Sequence, residues 1–434
     1  MKEVLEGRGN RMIERNGNKL IFLLCVPRSG SSLATVMLQN HTRIYAAQEM
    51  WFLMSLYDLK KPEKRAYGGT AILNQFFDGV LPESVYDEAC RSFGANVYNG
   101  LLSTSEADMV VDKSPRYYYI LEFLDRLFPQ SKRIGLFRNP LDVAASYKKV
   151  NQRSAPNFNL ADQLSDPSLN MKMVDITVGL FRYQQYFAQK NENAFWLKYE
   201  EMAAHPEEQM QNVCRFLDIS YEEGIEKYGD YMDSAKSELF YSMGVGDPYL
   251  SEHRTPHMKS IGNWRTMLDR REVEAYCRIL GARLFRELGY EAELEEAQRL
   301  TGVVFEEEPD MKWIEAKTKQ FAEATGCRWE PEYKMQSAVL PETSPEVANA
   351  LSQEYKDKAE ADELLRMRMT LRSLEKRMEQ HYAERDRLHQ ESERLRKEVK
   401  DMKQKMNRIK SLIPFNRSLG RVFNAYLVRK GVEK

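Results

Sequence analysis

The sequence predicts an α/β fold over residues 20–300, a parallel sheet flanked by helices, followed by a C-terminal coiled-coil helix. Two patterns carry this expectation. Apolar runs of strand length alternate with helical patterns up to about residue 300, and apolar residues then recur alternately every three and four positions from 364 to 413. Continuously apolar strands separated by helices indicate a parallel sheet covered on both faces. A third observation is compositional: charged residues make up 30% of the 434 and the mean hydropathy is −0.61. A solvated, highly charged segment must dilute the apolar average. Lys plus Arg number 64 against 65 acidic residues, a net charge of −1, which excludes a globally basic nucleic-acid binder.

Residues 1–19 read as a polar lead-in without an apolar run long enough for a signal peptide. The first strand, Leu20 to Val26, ends at Pro27 and leads into a helix through Ser32 to Gln39. Further strands are expected at 107–112, 133–138 and 193–199. In such sheets ligands bind beyond the carboxyl ends of the strands. Residues 301–358 carry several prolines and acids with few periodic apolar positions, as a linker or a strap on the domain would. From 359 to 413 an a/d series runs through Leu364, Met367, Leu371, Leu374, Met378, Leu388, Leu395, Val399, Met402, Met406, Ile409 and Ile413. Polar residues occupy the series at His381, Arg385 and Ser392, and Pro414 ends it. More than four sustained heptads with charged flanks favour a coiled coil, and so a homo-oligomer or a partner protein. The tail 414–434 interleaves Phe415, Leu419, Val422, Phe423 and Tyr426 with Arg417, Arg421, Arg429 and Lys430. A basic amphipathic helix of this kind either touches a membrane surface or packs its apolar face on the protein.

The five cysteines are dispersed with no CxxC pair, and the six histidines are scattered. Neither set makes a disulfide framework or a metal site. Reduced thiols and the absence of a leader point to the cytoplasm.

The sharpest local signal is Pro27-Arg28-Ser29-Gly30-Ser31-Ser32-Leu33, after the first strand and opening the first helix. Gly30 permits a tight turn, and successive N–H groups at a helix N-terminus face an anion. Arg28 and the hydroxyls of Ser29, Ser31 and Ser32 add further donors. GxxxxGK[ST] is absent, so this is not the nucleoside-triphosphatase loop. Taken alone, the segment is also readable as an ordinary capped strand–turn–helix. A second signal, Arg138-Asn139-Pro140-Leu141-Asp142 with Ser146 two helical turns on, follows the third strand.

Together these two segments resemble the sulfotransferases that use 3′-phosphoadenosine 5′-phosphosulfate (PAPS), a family with a P-loop-type fold. The resemblance spans residues 20–300. It implies that Pro27 to Ser32 hold the 5′-phosphosulfate, and that Arg138 and Ser146 hold the 3′-phosphate. Finer matches resemble the tyrosylprotein sulfotransferases and their bacterial relatives. By that likeness Arg28 is the loop's basic residue, Glu49 the general base, Lys113 of Val111-Asp112-Lys113-Ser114-Pro115 the group polarising the sulfuryl, and Tyr199 of Tyr199-Glu200-Glu201 a nucleotide contact. The segment Thr255-Pro256-His257-Met258-Lys259-Ser260-Ile261-Gly262-Asn263-Trp264 keeps a Gly-Asn-Trp motif but lacks the family's Arg-Lys-Gly triplet. Lys259 is the remaining candidate for the 3′-phosphate, with His253 and His257 in the same loop.

The activity so implied is transfer of a sulfuryl group from PAPS to an acceptor hydroxyl on a glycan, small metabolite or peptide, with no metal. Two other readings compete with it. A P-loop nucleotide kinase shares the cradle but needs the missing Gly-Lys-Ser/Thr. An inactive coiled-coil scaffold would have lost donor-site residues, whereas Arg28, Lys113, Arg138 and Ser146 are all present.

Overall fold

The computed structural model describes residues 12–46, 49–61, 70–230, 254–335, 382, 385–408, 420–422 and 425–426. The chain divides into two compact units, Met1–Leu340 and Pro341–Lys434.

The first unit is built on five parallel strands: β1 (Leu20–Leu24), β2 (Ile44–Ala46), β3 (Met109–Ser114), β4 (Lys132–Phe137) and β5 (Ala194–Lys198), in the order β2-β3-β1-β4-β5. Alternation along β1 sends Leu20, Phe22 and Leu24 into one apolar core and Ile21 and Leu23 into another on the opposite face. That is why the run is apolar at every position, with no residue of β1 more than 1% exposed. Helix α1 (Ser31–Asn40) follows β1, α2 (Glu83–Leu102) precedes β3, α3 (Pro140–Asn151) follows β4 and α4 (Tyr199–Ala204) follows β5. Pairing aligns Leu23 with Lys113 and Leu24 with Ser114 and Gly135, while Phe137 lies beside Lys198. The residues that end β1, β3, β4 and β5 therefore share one edge of the sheet. The chain leaves β1 on one side toward β3 and returns on the other toward β4, which makes this edge a switch point of the topology.

The strand expected at 107–112 runs instead over Met109–Ser114. Lys113 is thus inside the strand, one residue from its end, rather than after it. β2 is too short, at three residues, to register as an apolar run, and no strand was expected there.

Within the first unit, residues 303–335 pack against the rest of it, largely through aromatic side chains. Helix α5 (Met311–Thr325) buries Phe321 completely. Trp313 Nε1 donates to the Leu164 carbonyl at 2.9 Å and Trp329 Nε1 to that of Tyr119 at 2.9 Å. Tyr333 Oη donates to Asp125 Oδ2 at 2.8 Å. Lys317 Nζ donates to the carbonyls of Asp166, Pro167 and Ser168. Anchors spaced this widely leave no helical periodicity to read.

In the second unit residues 385–408 are helical and exposed, as are 420–422 and 425–426. The rest of the 359–413 series, the remainder of the tail, residues 336–358 and 1–11 of the lead-in lie outside the described residues. Among the described residues no helix is long and apolar enough to cross a membrane, and no group of His, Cys, Asp and Glu is arranged to hold a metal ion.

Candidate active site

The loop between β1 and α1 has two left-handed residues, Arg28 (φ 71°) and Gly30 (φ 93°). A non-glycine residue in this region is strained by roughly 1–3 kcal/mol, and such strain concentrates at functional sites. Gly30 is required twice over. Its φ favours glycine, and a Cβ there would lie 2.3 Å from Cδ2 of Tyr199.

The two motifs meet side chain to side chain. Arg28 Nε donates to Ser146 Oγ at 3.1 Å. Arg138 is buried and reaches across: Nη1 donates to the Arg28 carbonyl at 3.1 Å and Nη2 to the Ser260 carbonyl at 2.6 Å. Its guanidinium lies over the Tyr199 ring, 4.3 Å from the centroid, a cation–π arrangement. Two buried polar atoms here, Ser29 Oγ and Arg138 Nε, have no hydrogen-bond partner among the described residues. Buried donors are normally satisfied, so orphaned ones in a cradle fit an anion supplied from outside.

Asn139 caps α3, accepting from Leu141 N at 3.0 Å with Pro140 in the first turn, so the helix starts immediately beyond Arg138. Ser146 is on its second turn and half-buried. Ser31 and Leu33 are buried and Ser32 half-buried at the start of α1.

On the other side of the loop, Lys113 is 1% exposed and its Nζ lies 3.1 Å from Glu49 Oε1. Glu49 Oε2 accepts from Trp51 Nε1 at 2.8 Å, and Trp51 is left-handed, with φ 59°. Cys25, near Lys113 and Ser31, has its thiol pushed up to about 12, chiefly by burial. A neutral thiol is a poor nucleophile, and the charged side chains beside it are those of the Lys113–Glu49 ion pair.

Lys259 is exposed on the 3₁₀ turn Met258–Ser260. The turn joins the site through the Ser260 carbonyl rather than through the Lys259 side chain. His257 is half-buried just before it, and His253 lies outside the described residues.

Three residues of the quoted motifs hold this edge together without having been singled out. Asp142 accepts from Gly262 N at 2.7 Å and Trp264 N at 3.0 Å, fixing the Gly-Asn-Trp turn against α3. Glu200 accepts from Asn139 N at 2.9 Å and Tyr290 Oη at 2.7 Å, and burial raises its pKa. Ser260 supplies the carbonyl under Arg138. For Asp142 and Glu200 the signal was present: both are acids at motif positions, one beside the Arg138 strand end and one beside Tyr199.

Beneath Lys113, Asp112 points to the opposite face of β3 and is fully buried. Its Oδ2 accepts from Tyr98 Oη at 2.5 Å and Tyr117 Oη at 2.8 Å. Burial outweighs these bonds and lifts its pKa from 3.8 to about 6. A carboxyl whose folded pKa is raised contributes stability below about pH 4 that is lost as pH rises through 6, a difference worth about 3 kcal/mol. In Asp112→Asn the remaining oxygen still accepts both phenols. Its melting temperature relative to wild type is expected to rise between pH 4 and pH 7.5, read by thermal unfolding in matched buffers. A difference independent of pH would show that Asp112 does not titrate this way.

Residues 21–223 match the model of the sulfotransferase family. That match covers just under half of the chain. Nodulation protein NoeE of Sinorhizobium fredii is 27% identical over 297 residues, 66% of this chain and 69% of that protein. Protein-tyrosine sulfotransferase A of Caenorhabditis elegans is 26% identical over 207 residues, 47% of this chain, and the chain spans about half (51%) of that relative's length. Among solved structures, the sulfotransferase domain from the curacin biosynthetic pathway aligns with 62% of this chain and 97% of its own, at 22% identity and a TM-score of 0.39. The matched segment of this chain contains the β1–α1 loop, Glu49, Lys113, Arg138, Ser146 and Tyr199. The Ser260 turn and the helix at 385–408 lie beyond it.

Proposed function

We propose that this protein moves a sulfuryl group from PAPS to an acceptor hydroxyl, in line and without a metal. The observation that carries the reading is the Lys113–Glu49 pair beside a loop whose buried donors, Ser29 Oγ and Arg138 Nε, await a partner. The acceptor O–H bond breaks, its proton passes to Glu49, and the oxygen forms a new S–O bond. The S–O bond to the phosphate breaks and 3′-phosphoadenosine 5′-phosphate (PAP) departs. Glu49 requires the hydroxyl within hydrogen-bond reach. Lys113 and Arg28 oppose charge on the sulfuryl and leaving-group oxygens, with Ser29, Ser31, Ser32 and the N–H groups up to Leu33 adding preorganised donors. Positioned cations here do what metal ions do in many phosphoryl transfers. Arg138, Ser146 and Tyr199 hold the nucleotide end, and Lys259 is an outer candidate for the 3′-phosphate.

The acceptor class is a hydroxyl on a glycan, small metabolite or peptide. Five unpaired, buried cysteines suit a reducing cytoplasm, where we place the reaction.

Calorimetric titration with PAP, without magnesium, tests the donor site. Wild type is expected to bind tightly and Arg138→Ala at least tenfold more weakly, since a buried charge-assisted contact is worth about 1.5–3 kcal/mol. Circular dichroism of the variant must show an intact fold, because Arg138 also braces two carbonyls. No binding by folded wild type would remove the donor assignment and turn attention to ATP with magnesium.

A further inference from the structure

We propose that the helix at 385–408 is one strand of a parallel, in-register two-stranded coiled coil formed with a second copy of this chain. The helix carries an apolar seam at heptad spacing, Leu388, Leu395, Val399, Met402 and Met406, each between 46% and 64% exposed. An isolated helix this polar gains nothing from exposing such a seam, and a facing helix buries it.

Charge decides the partner and its direction. With Val399 and Met406 at a and Leu388, Leu395 and Met402 at d, the flanking g positions hold Glu391 and Glu398, and the e positions His389, Arg396 and Lys403. In a parallel in-register pair each g residue faces the e residue five positions on in the partner. Glu391 then meets Arg396 and Glu398 meets Lys403, twice each by symmetry. The next such pair, Lys405 with Lys410, is like-charged. Antiparallel helices set e against e, which over the described helix sets Arg396 and Lys403 against each other, themselves or His389.

Of the two polar seam positions in the described helix, Arg385 and Ser392, Ser392 agrees. In register, Ser392 at a faces its own copy. An antiparallel partner would set it against a d residue, and the d residues of the described helix are all apolar. Val at a with Leu at d also favours two strands over three.

The full chain tests this. Sedimentation at micromolar concentration is expected to show a dimer, weakened roughly tenfold in E391K/E398K, where the four opposite-charge contacts become like-charged. Direction is read from single cysteines at Leu388→Cys and Met402→Cys, two heptads and about 21 Å apart. All five native thiols are buried, so wild type supplies the oxidation blank. Each variant alone is expected to form an intermolecular disulfide on mild oxidation. A monomer, a dimer whose single-cysteine variants fail to cross-link, or cross-linking only between the two variants in a mixture each overturns the proposal.

Discussion

Lys113→Ala is expected to lower kcat by about 10²–10³-fold while changing PAP affinity only a few-fold. Removing one preorganised group aimed at developing charge has a cost of that order, and it falls on the transition state because charge builds on the leaving phosphate oxygen only during transfer. The fold should survive. Glu49, which loses its cation at 3.1 Å, keeps the Trp51 indole at 2.8 Å and is 19% exposed, so it is not stranded in an apolar medium. Steady-state kinetics with PAPS, set beside calorimetry with PAP, separate the two parameters. Equal losses in both would make Lys113 a donor-binding group instead. Glu49→Gln is the companion: it keeps the shape but cannot take a proton, so it too should lose kcat selectively.

Gly30→Ala is expected to weaken PAP binding by more than tenfold and to lower stability by about 2–4 kcal/mol, combining left-handed strain with overpacking. The added methyl meets the Tyr199 ring at 2.3 Å, and that ring supports the Arg138 guanidinium at 4.3 Å. Displacing the ring tilts Arg138 away from its two carbonyls. The double variant Gly30→Ala with Tyr199→Ala should therefore lose less than the sum of the single losses, as neighbours that share a contact do. Strict additivity in a binding and unfolding cycle would mean that the methyl acts on the backbone alone.

Much of this edge was legible because the residues that build it are chemically conspicuous. An apolar run of seven residues ending at Pro27-Arg28-Ser29-Gly30 announces a strand, a turn and a helix start. Arg138-Asn139-Pro140 likewise joins a strand end to a capped helix. What stayed hidden depends on distance through space. The β2 strand gains its identity only by pairing with β3. Ser260 contributes a carbonyl, which every residue has, so nothing in its side chain marks it. The packing of 303–335 is carried by Trp313, Phe321, Trp329 and Tyr333, whose partners lie on segments up to 210 residues away and leave no local period. Asp112 and Lys113 are adjacent letters with opposite fates, because a strand sends neighbours to opposite faces.

The strand order also bears on how this domain can change by mutation. The donor-side groups come from the ends of β1 and β4 and from the start of α4, in the centre and on one flank of the sheet. The described residues between the edge strand β2 and β3 hang from the other flank and expose Ile72, Phe76 and Val80. Apart from Glu49 and buried side chains such as Tyr98, which bonds Asp112, the exposed surface of this segment can change without disturbing the register that aligns Leu23 with Lys113 and Ile134. A lineage of such proteins is thus free to vary the exposed surface at one end of the sheet while the register of its central strands stays fixed.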